Sequence, residues 1–181
     1  MAPLADPGSR TLYVLRHAKS SWEEPGEEDH ERPLARRGRE AAGLIARHLE
    51  QAGIRPALVL CSTARRARET YEAVRPSGEL LVERELYGAS SPELLARLRA
   101  VPEAVASVML IGHNPGLQEL VVWLAAPDPV GSSEEPPGLS QVREKFPTCA
   151  LATLRLESPW RQLGPRATEL MDVVYPSGLA A

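Results

Sequence analysis

The chain has 181 residues, 43% hydrophobic and 25% charged, enough for one globular domain burying roughly 70% of the surface its unfolded form would expose. Its 21 basic and 24 acidic side chains leave a formal charge of −3, so no whole-protein positive field favours nucleic acid or an anionic membrane. No stretch approaches the roughly 18 consecutive apolar residues of a membrane span, and residues 1–10, read as a flexible N-terminus, lack the apolar core of a secretory signal.

Those exclusions predict a cytoplasmic protein whose two cysteines, Cys61 and Cys149, stay unpaired in a reducing compartment. A single domain over residues 11–181 is expected.

In chain order, Leu12 to Leu15 is the first apolar run suited to a buried strand. A helix is predicted over about Ala35 to Ala52, with Ala41, Ile45, His48, Leu49 and Ala52 along one face and Gly53 as its stop; His48 reads as a packed helix residue rather than a ligand. A second strand, Leu58 to Cys61, leads to Ser62, which sits where an N-cap belongs for a helix running to about Val74. Ser91-Pro92 opens another helix, a third strand spans Val108 to Ile111, and Asn114-Pro115 opens a further helix through Leu117, Leu120, Val121 and Leu124. Residues 127–138, rich in Pro, Gly and Ser, predict a surface loop. Ala150 to Leu156 and Leu170 to Tyr175 are strand-like. The alternation of strand and helix predicts an α/β domain with a mostly parallel central sheet flanked by helices.

In such a sheet ligands collect beyond the carboxyl ends of the strands. Three strand ends carry residues suited to phosphate. The first reads Arg16-His17-Ala18-Lys19, combining an imidazole that can act as a nucleophile with a guanidinium that grips phosphoryl oxygens. The second, Ser62-Thr63-Ala64-Arg65-Arg66, joins arginines to a helix N-terminus. The third, Gly112-His113-Asn114-Pro115, supplies a second imidazole able to stabilise transition-state charge. Each segment alone has a bland reading as a structural histidine or a solvated arginine face. Their conjunction on one sheet edge is what phosphoryl transfer needs and core packing does not.

These segments resemble the histidine phosphatase superfamily, also called phosphoglycerate mutase-like, and most closely its small SixA-like phosphohistidine phosphatase branch. Arg16-His17-Ala18 resembles the Arg-His-Gly signature, with the alanine found in an Arg-His-Ala-Lys-Ser subgroup. Arg32-Pro33-Leu34 followed by Gly38 resembles that subgroup's next segment. Ser62 with an arginine four residues on selects Arg66, which helix register alone leaves level with Arg68. The resemblance implies a three-layer phosphoglycerate mutase-like fold with no large cap domain. It also implies a two-step reaction in which His17 attacks phosphorus while Arg16, Arg66 and His113 hold the phosphoryl oxygens, and water then resolves the phosphohistidine. Arg16, Lys19, Ser62, Arg66, His113 and Asn114 form the expected phosphate-binding set, and no metal or organic cofactor is implied.

Larger members resemble one another in placing a carboxylate general acid after the second signature helix, where this chain reads Leu86-Tyr87-Gly88-Ala89-Ser90-Ser91-Pro92. Asp29 and Glu31, before Arg32, are the candidate substitutes for that proton donor. Without an acid, substrates with an easy leaving group are favoured, which points to phosphohistidine on a partner protein. The alternatives are a phosphatase for small phosphate esters or sugar phosphates, and a regulatory module that binds phosphate without turnover. A metal site built on His17 and His113 is disfavoured by the adjoining cationic positions.

Overall fold

The computed structural model describes residues 8–23, 25–127 and 134–180. Six strands form one sheet: β1 (Arg10–Arg16), β2 (Leu58–Ser62), β3 (Glu79–Glu83), β4 (Ser107–Gly112), β5 (Leu151–Leu156) and β6 (Glu169–Val174). Their spatial order is β3-β2-β4-β1-β5-β6, parallel from β3 through β1 and antiparallel on both sides of β5. The mostly parallel α/β fold expected from the alternation is what the chain adopts.

Side chains alternate between the two faces of the sheet, as the two-residue strand repeat requires. Leu12, Val14, Leu58, Leu60, Val108 and Leu110 enter one core with α3 (Ser91–Arg99), α4 (Gly116–Ala125) and α5 (Leu139–Glu144). Leu15, Val59, Cys61, Met109 and Ile111 enter the other with α1 (Arg36–Ala52) and α2 (Arg65–Val74). Because both faces are covered, the central strands read as continuous apolar runs.

Several local expectations need correcting. Ser62 is the last residue of β2 and is fully buried; the N-cap of α2 is Ala64. Strand pairing claimed the serine because β2 is extended by one residue against β3. α4 begins at Gly116, with Pro115 at the cap. β3 was not anticipated: it is an edge strand paired only with β2, and its exposed Leu81 and Val82 give it no apolar alternation. Arg10 belongs to β1, which shortens the N-terminal segment expected to be flexible, and residues 1–7 lie outside the described ones. Of the predicted surface loop, residues 128–133 lie outside the described residues, as does Glu24, and Gly138 caps the unanticipated α5. Cys61 and Cys149 are both buried free thiols, and burial pushes each up to about 12. Among the described residues, no helix is long and apolar enough to cross a membrane.

Candidate active site

The strand order decides the site. β2, β4 and β1 are consecutive and parallel, so their carboxyl ends deliver Ser62, His113 and His17 to one edge. The rings of His17 and His113 lie 5.0 Å apart between centroids.

His17 is buried, and its Nδ1 lies 2.7 Å from the carbonyl oxygen of Ala18. A carbonyl only accepts, so the Nδ1 proton donates and the lone pair is left on Nε2. The Arg66 Nε–H points at that lone pair from 3.4 Å. Burial pulls the His17 pKa down to about 4; the Ala18 bond works against this, and the charges of Arg66, Arg16 and Arg32 add to it. The ring is therefore neutral at physiological pH, with Nε2 able to attack.

The Ala18 peptide is itself held. Its N–H donates to Thr70 Oγ1 at 2.9 Å, and the Thr70 hydroxyl donates to the Arg66 carbonyl at 2.6 Å. The Cys149 N–H donates to the carbonyls of Arg16 and His17, both at 3.1 Å. Gly38 on α1 lies so close that a Cβ there would sit 2.1 Å from the Lys19 carbonyl oxygen. That close approach explains the Gly38 in the segment after Arg32-Pro33-Leu34.

His113 is also buried, and burial followed by the charges of His17 and Arg66 lowers its pKa to about 3. Its Nε2 lies 2.7 Å from Ser62 Oγ, which also accepts the Ala64 N–H at 3.2 Å. A Ser62 hydroxyl that donates to Nε2 puts the proton of the neutral ring on Nδ1, a buried atom with no hydrogen-bond partner among the described residues. Ser62 thus acts through His113 rather than facing a ligand. Arg16 donates from Nη1 to the Phe146 carbonyl at 2.9 Å and leaves its buried Nε unpartnered. Asn114 donates to the same carbonyl at 2.8 Å, and Lys19 is exposed. Unpaired donors on Arg16 and His113 beside a neutral imidazole are an arrangement for binding a tetrahedral anion.

Arg66 is the arginine of α2 that enters the site. It is buried, whereas Arg65 pairs with Glu69 at 2.8 Å and Arg68 is exposed. Its outer nitrogens are engaged by Asp29: Nη1 donates to the Asp29 carbonyl at 2.5 Å and Nη2 to Oδ2 at 3.0 Å. The Arg32 guanidinium binds Oδ1 at 2.9 Å and lies over the Trp22 ring, while the Tyr87 hydroxyl donates to Oδ2 at 2.7 Å. Partial burial alone would raise the Asp29 pKa, but the bonds from Tyr87 and Arg32 and the charge of Arg66 outweigh it and hold the carboxyl at about 2. In this arrangement Asp29 has no proton to give at neutral pH. Glu31 is exposed and binds His30 at 2.6 Å, away from the histidine pair. Neither carboxylate is poised as the expected proton donor.

Two participants escaped the sequence reading. Thr70 lies one helical turn beyond Arg66, and nothing but tertiary packing ties it to Ala18. Tyr87 sits in the segment Leu86 to Pro92, where larger family members carry an acid; its ring meets His113 edge-on at 5.6 Å and His30 at 4.8 Å.

The family model of the histidine phosphatase superfamily, branch 1, matches residues 12–86. An uncharacterized protein of Mycobacterium tuberculosis strain H37Rv is 33% identical over 162 residues, which are 90% of this chain and 99% of that protein. The provisionally assigned phosphohistidine phosphatase SixA of Nakamurella multipartitia superposes with a TM-score of 0.81 at 30% identity, covering 93% of this chain and 97% of the other. Its provisionally assigned counterpart from Agrobacterium tumefaciens gives 0.74 at 32% identity, covering 92% and 99%. With the paired histidines and Arg66 assembled at the edge formed by β1, β2 and β4, these likenesses make the chain a member of the histidine phosphatase superfamily.

Proposed function

We propose that the protein dephosphorylates phosphohistidine on a partner protein through a covalent phosphoryl intermediate on His17. One observation carries this reading: among the described residues, the neutral His17 imidazole shares its site with no carboxyl group poised to give a proton. The 30–32% identity to the two SixA-named proteins supports it.

In the first step His17 Nε2 attacks phosphorus as the bond to the leaving group breaks. Arg16, Arg66 and His113 Nδ1 hold the three equatorial oxygens, and binding of the phosphoryl group replaces Asp29 on Arg66. Exposed Lys19 draws the anion towards the mouth, and Asn114 holds the Phe146 carbonyl that anchors Arg16. In the second step water attacks phospho-His17. The His17 ring keeps its Nδ1 proton against Ala18, so it departs as a neutral imidazole and dihydrogen phosphate is released.

Alkyl phosphates require protonation of a poor alkoxide leaving group, and general acid catalysis contributes about 10²- to 10⁴-fold to such steps. Phosphohistidine and aryl phosphates do not need that help. Rapid quench with labelled phosphohistidine peptide should trap an acid-labile, alkali-stable adduct that is absent from His17→Ala. The same adduct recovered from that variant, or brisk hydrolysis of alkyl phosphates rivalling that of the peptide, would refute the reading.

A further inference from the structure

Asp29 lies on the outer side of the Arg66 guanidinium. His17 and Arg66 are both buried, and the Arg66 guanidinium links the ring to the half-exposed Asp29 carboxylate, whose side chain is 51% accessible. A group leaving in line from phosphorus departs on the side opposite His17 Nε2, and with His17, Arg66 and His113 all buried the open direction is that of the exposed Asp29. Asp29 also lines a cavity of about 380 Å³, together with Glu28, His30, Arg84 and Tyr87. It offers the rings of His30 and Tyr87, and the carboxylates of Glu28 and Asp29.

The chemistry proposed above moves a phosphoryl group between two imidazoles. For either imidazole to leave easily, its distal nitrogen must keep a proton, so that the electron pair of the broken P–N bond yields a neutral ring instead of an anion. The protein meets that requirement for His17 with the Ala18 carbonyl, 2.7 Å from Nδ1. The symmetry of the transfer calls for an acceptor on the substrate ring as well.

Resting on that function, we propose that Asp29 is a specificity-determining residue: its carboxylate receives the distal N–H of the substrate's imidazole in the outer cavity and keeps that ring protonated while the P–N bond breaks. The atom involved is Oδ2. Before substrate binds it is shared by Arg66 Nη2 and Tyr87 OH, while Oδ1 is held by Arg32. When the phosphoryl group takes Arg66, the acceptor position that Nη2 held on Oδ2 is freed for the substrate ring. The step balances without an external acid: the P–N bond to the substrate breaks, its electrons pass to that ring nitrogen, the bond from His17 Nε2 forms, and the distal proton stays on the departing imidazole.

The charged and titratable groups around Asp29 allow this. Arg66 is neutralised by the bound phosphoryl group, and Arg32 stays on Oδ1. Tyr87 remains a neutral donor, since its bond to Asp29, burial and the Asp29 charge raise its pKa. His113 is buried behind the Tyr87 ring. In the outer cavity His30 is held between Glu31 and Thr63, and Arg84 lines the same cavity as Glu28 and Asp29.

The test compares kcat/KM for a phosphohistidine peptide and for 4-nitrophenyl phosphate across pH, in wild type, Asp29→Asn and Tyr87→Phe. A carboxylate beside an imidazolium raises its pKa by about one unit or more, so the alkaline limb for the peptide should fall at lower pH in Asp29→Asn. At about pH 8 the loss should be roughly tenfold or greater, shrinking towards pH 6, where the imidazole protonates unaided. The aryl phosphate has no distal proton, so its kcat/KM should change less than about threefold at either pH. Tyr87→Phe keeps the carboxylate and should keep the wild-type limb. Equal losses on both substrates with an unmoved limb would reduce Asp29 to a support for Arg66 and overturn the proposal, as would a Tyr87→Phe profile shifted like that expected for Asp29→Asn. Absence of any peptide turnover by wild type would instead overturn the proposed function, a result distinguishable from both.

Discussion

Replacing Thr70 by valine tests how His17, the proposed nucleophile, is oriented. Valine matches threonine in shape but removes the hydroxyl that accepts the Ala18 N–H at 2.9 Å. Thr70 and Ala18 are both fully buried, so water cannot replace it. The Arg66 carbonyl keeps its helical partner, which confines the damage to the Ala18 N–H. A buried donor left unpaired costs about 1–3 kcal/mol. For a chain of this size each kcal/mol lowers Tm by about 2–4 °C, so a mid-range loss of about 2 kcal/mol predicts a fall of roughly 4–8 °C. The carbonyl that holds His17 Nδ1–H belongs to the same residue, on the next peptide unit. If the Ala18 backbone shifts to relieve its N–H and carries that carbonyl with it, the imidazole loses its fixed tautomer; about 1.4 kcal/mol of misalignment in the transition state would lower kcat tenfold. Thermal unfolding and steady-state hydrolysis of 4-nitrophenyl phosphate give both readouts, and Thr70→Ser, which keeps the hydroxyl, should recover most of each. Thr70→Val with a Tm within about a degree of wild type and an unchanged kcat would show that Ala18 is held some other way.

Two glycines of α1 should respond oppositely to alanine. Gly38→Ala would press a methyl group into the Lys19 backbone and should lower both Tm and kcat, whereas Gly43→Ala meets nothing within 4 Å and should stabilise by about 0.5–1 kcal/mol, as urea unfolding would measure. The imidazoles of His17 and His113 should stay neutral by NMR down to about pH 5, well below the usual value of 6.5. Their depressed native pKa values mean that the unfolded chain takes up protons first, so their contribution to stability is intact above pH 6.5 and is lost as pH falls towards 4 and below; a stability curve that stays flat to pH 4 would contradict this. Vanadate, which adopts the five-coordinate geometry of phosphoryl transfer, should inhibit competitively, whereas EDTA should leave activity intact because Arg16, Arg66 and Arg32 repel a cation. Loss of activity in EDTA with recovery on adding zinc would reverse that conclusion.

The alternation of strand and helix is legible in the chain without a structure, since apolar runs such as Val108 to Ile111 and helical stripes such as Ala41, Ile45 and Leu49 are patterns of burial that need no partner to be read. The sequence also marked His17 and His113 as chemical candidates, because each directly follows a buried strand. Composition and spacing could not say that β4 lies between β2 and β1, the juxtaposition that brings the two rings within 5.0 Å. Helix register left Arg66 level with Arg68; packing of α2 separated them, burying one beside the nucleophile and leaving the other in solvent. Thr70 and Tyr87 carried no local signal, since a mid-helix threonine and a loop tyrosine acquire roles only from what folds against them. Asp29 was legible as a carboxylate near the site, but its ionisation was not. Charge state depends on which groups the fold brings within hydrogen-bonding distance, and here Arg66, Arg32 and Tyr87 come from α2, from the same loop and from the segment after β3.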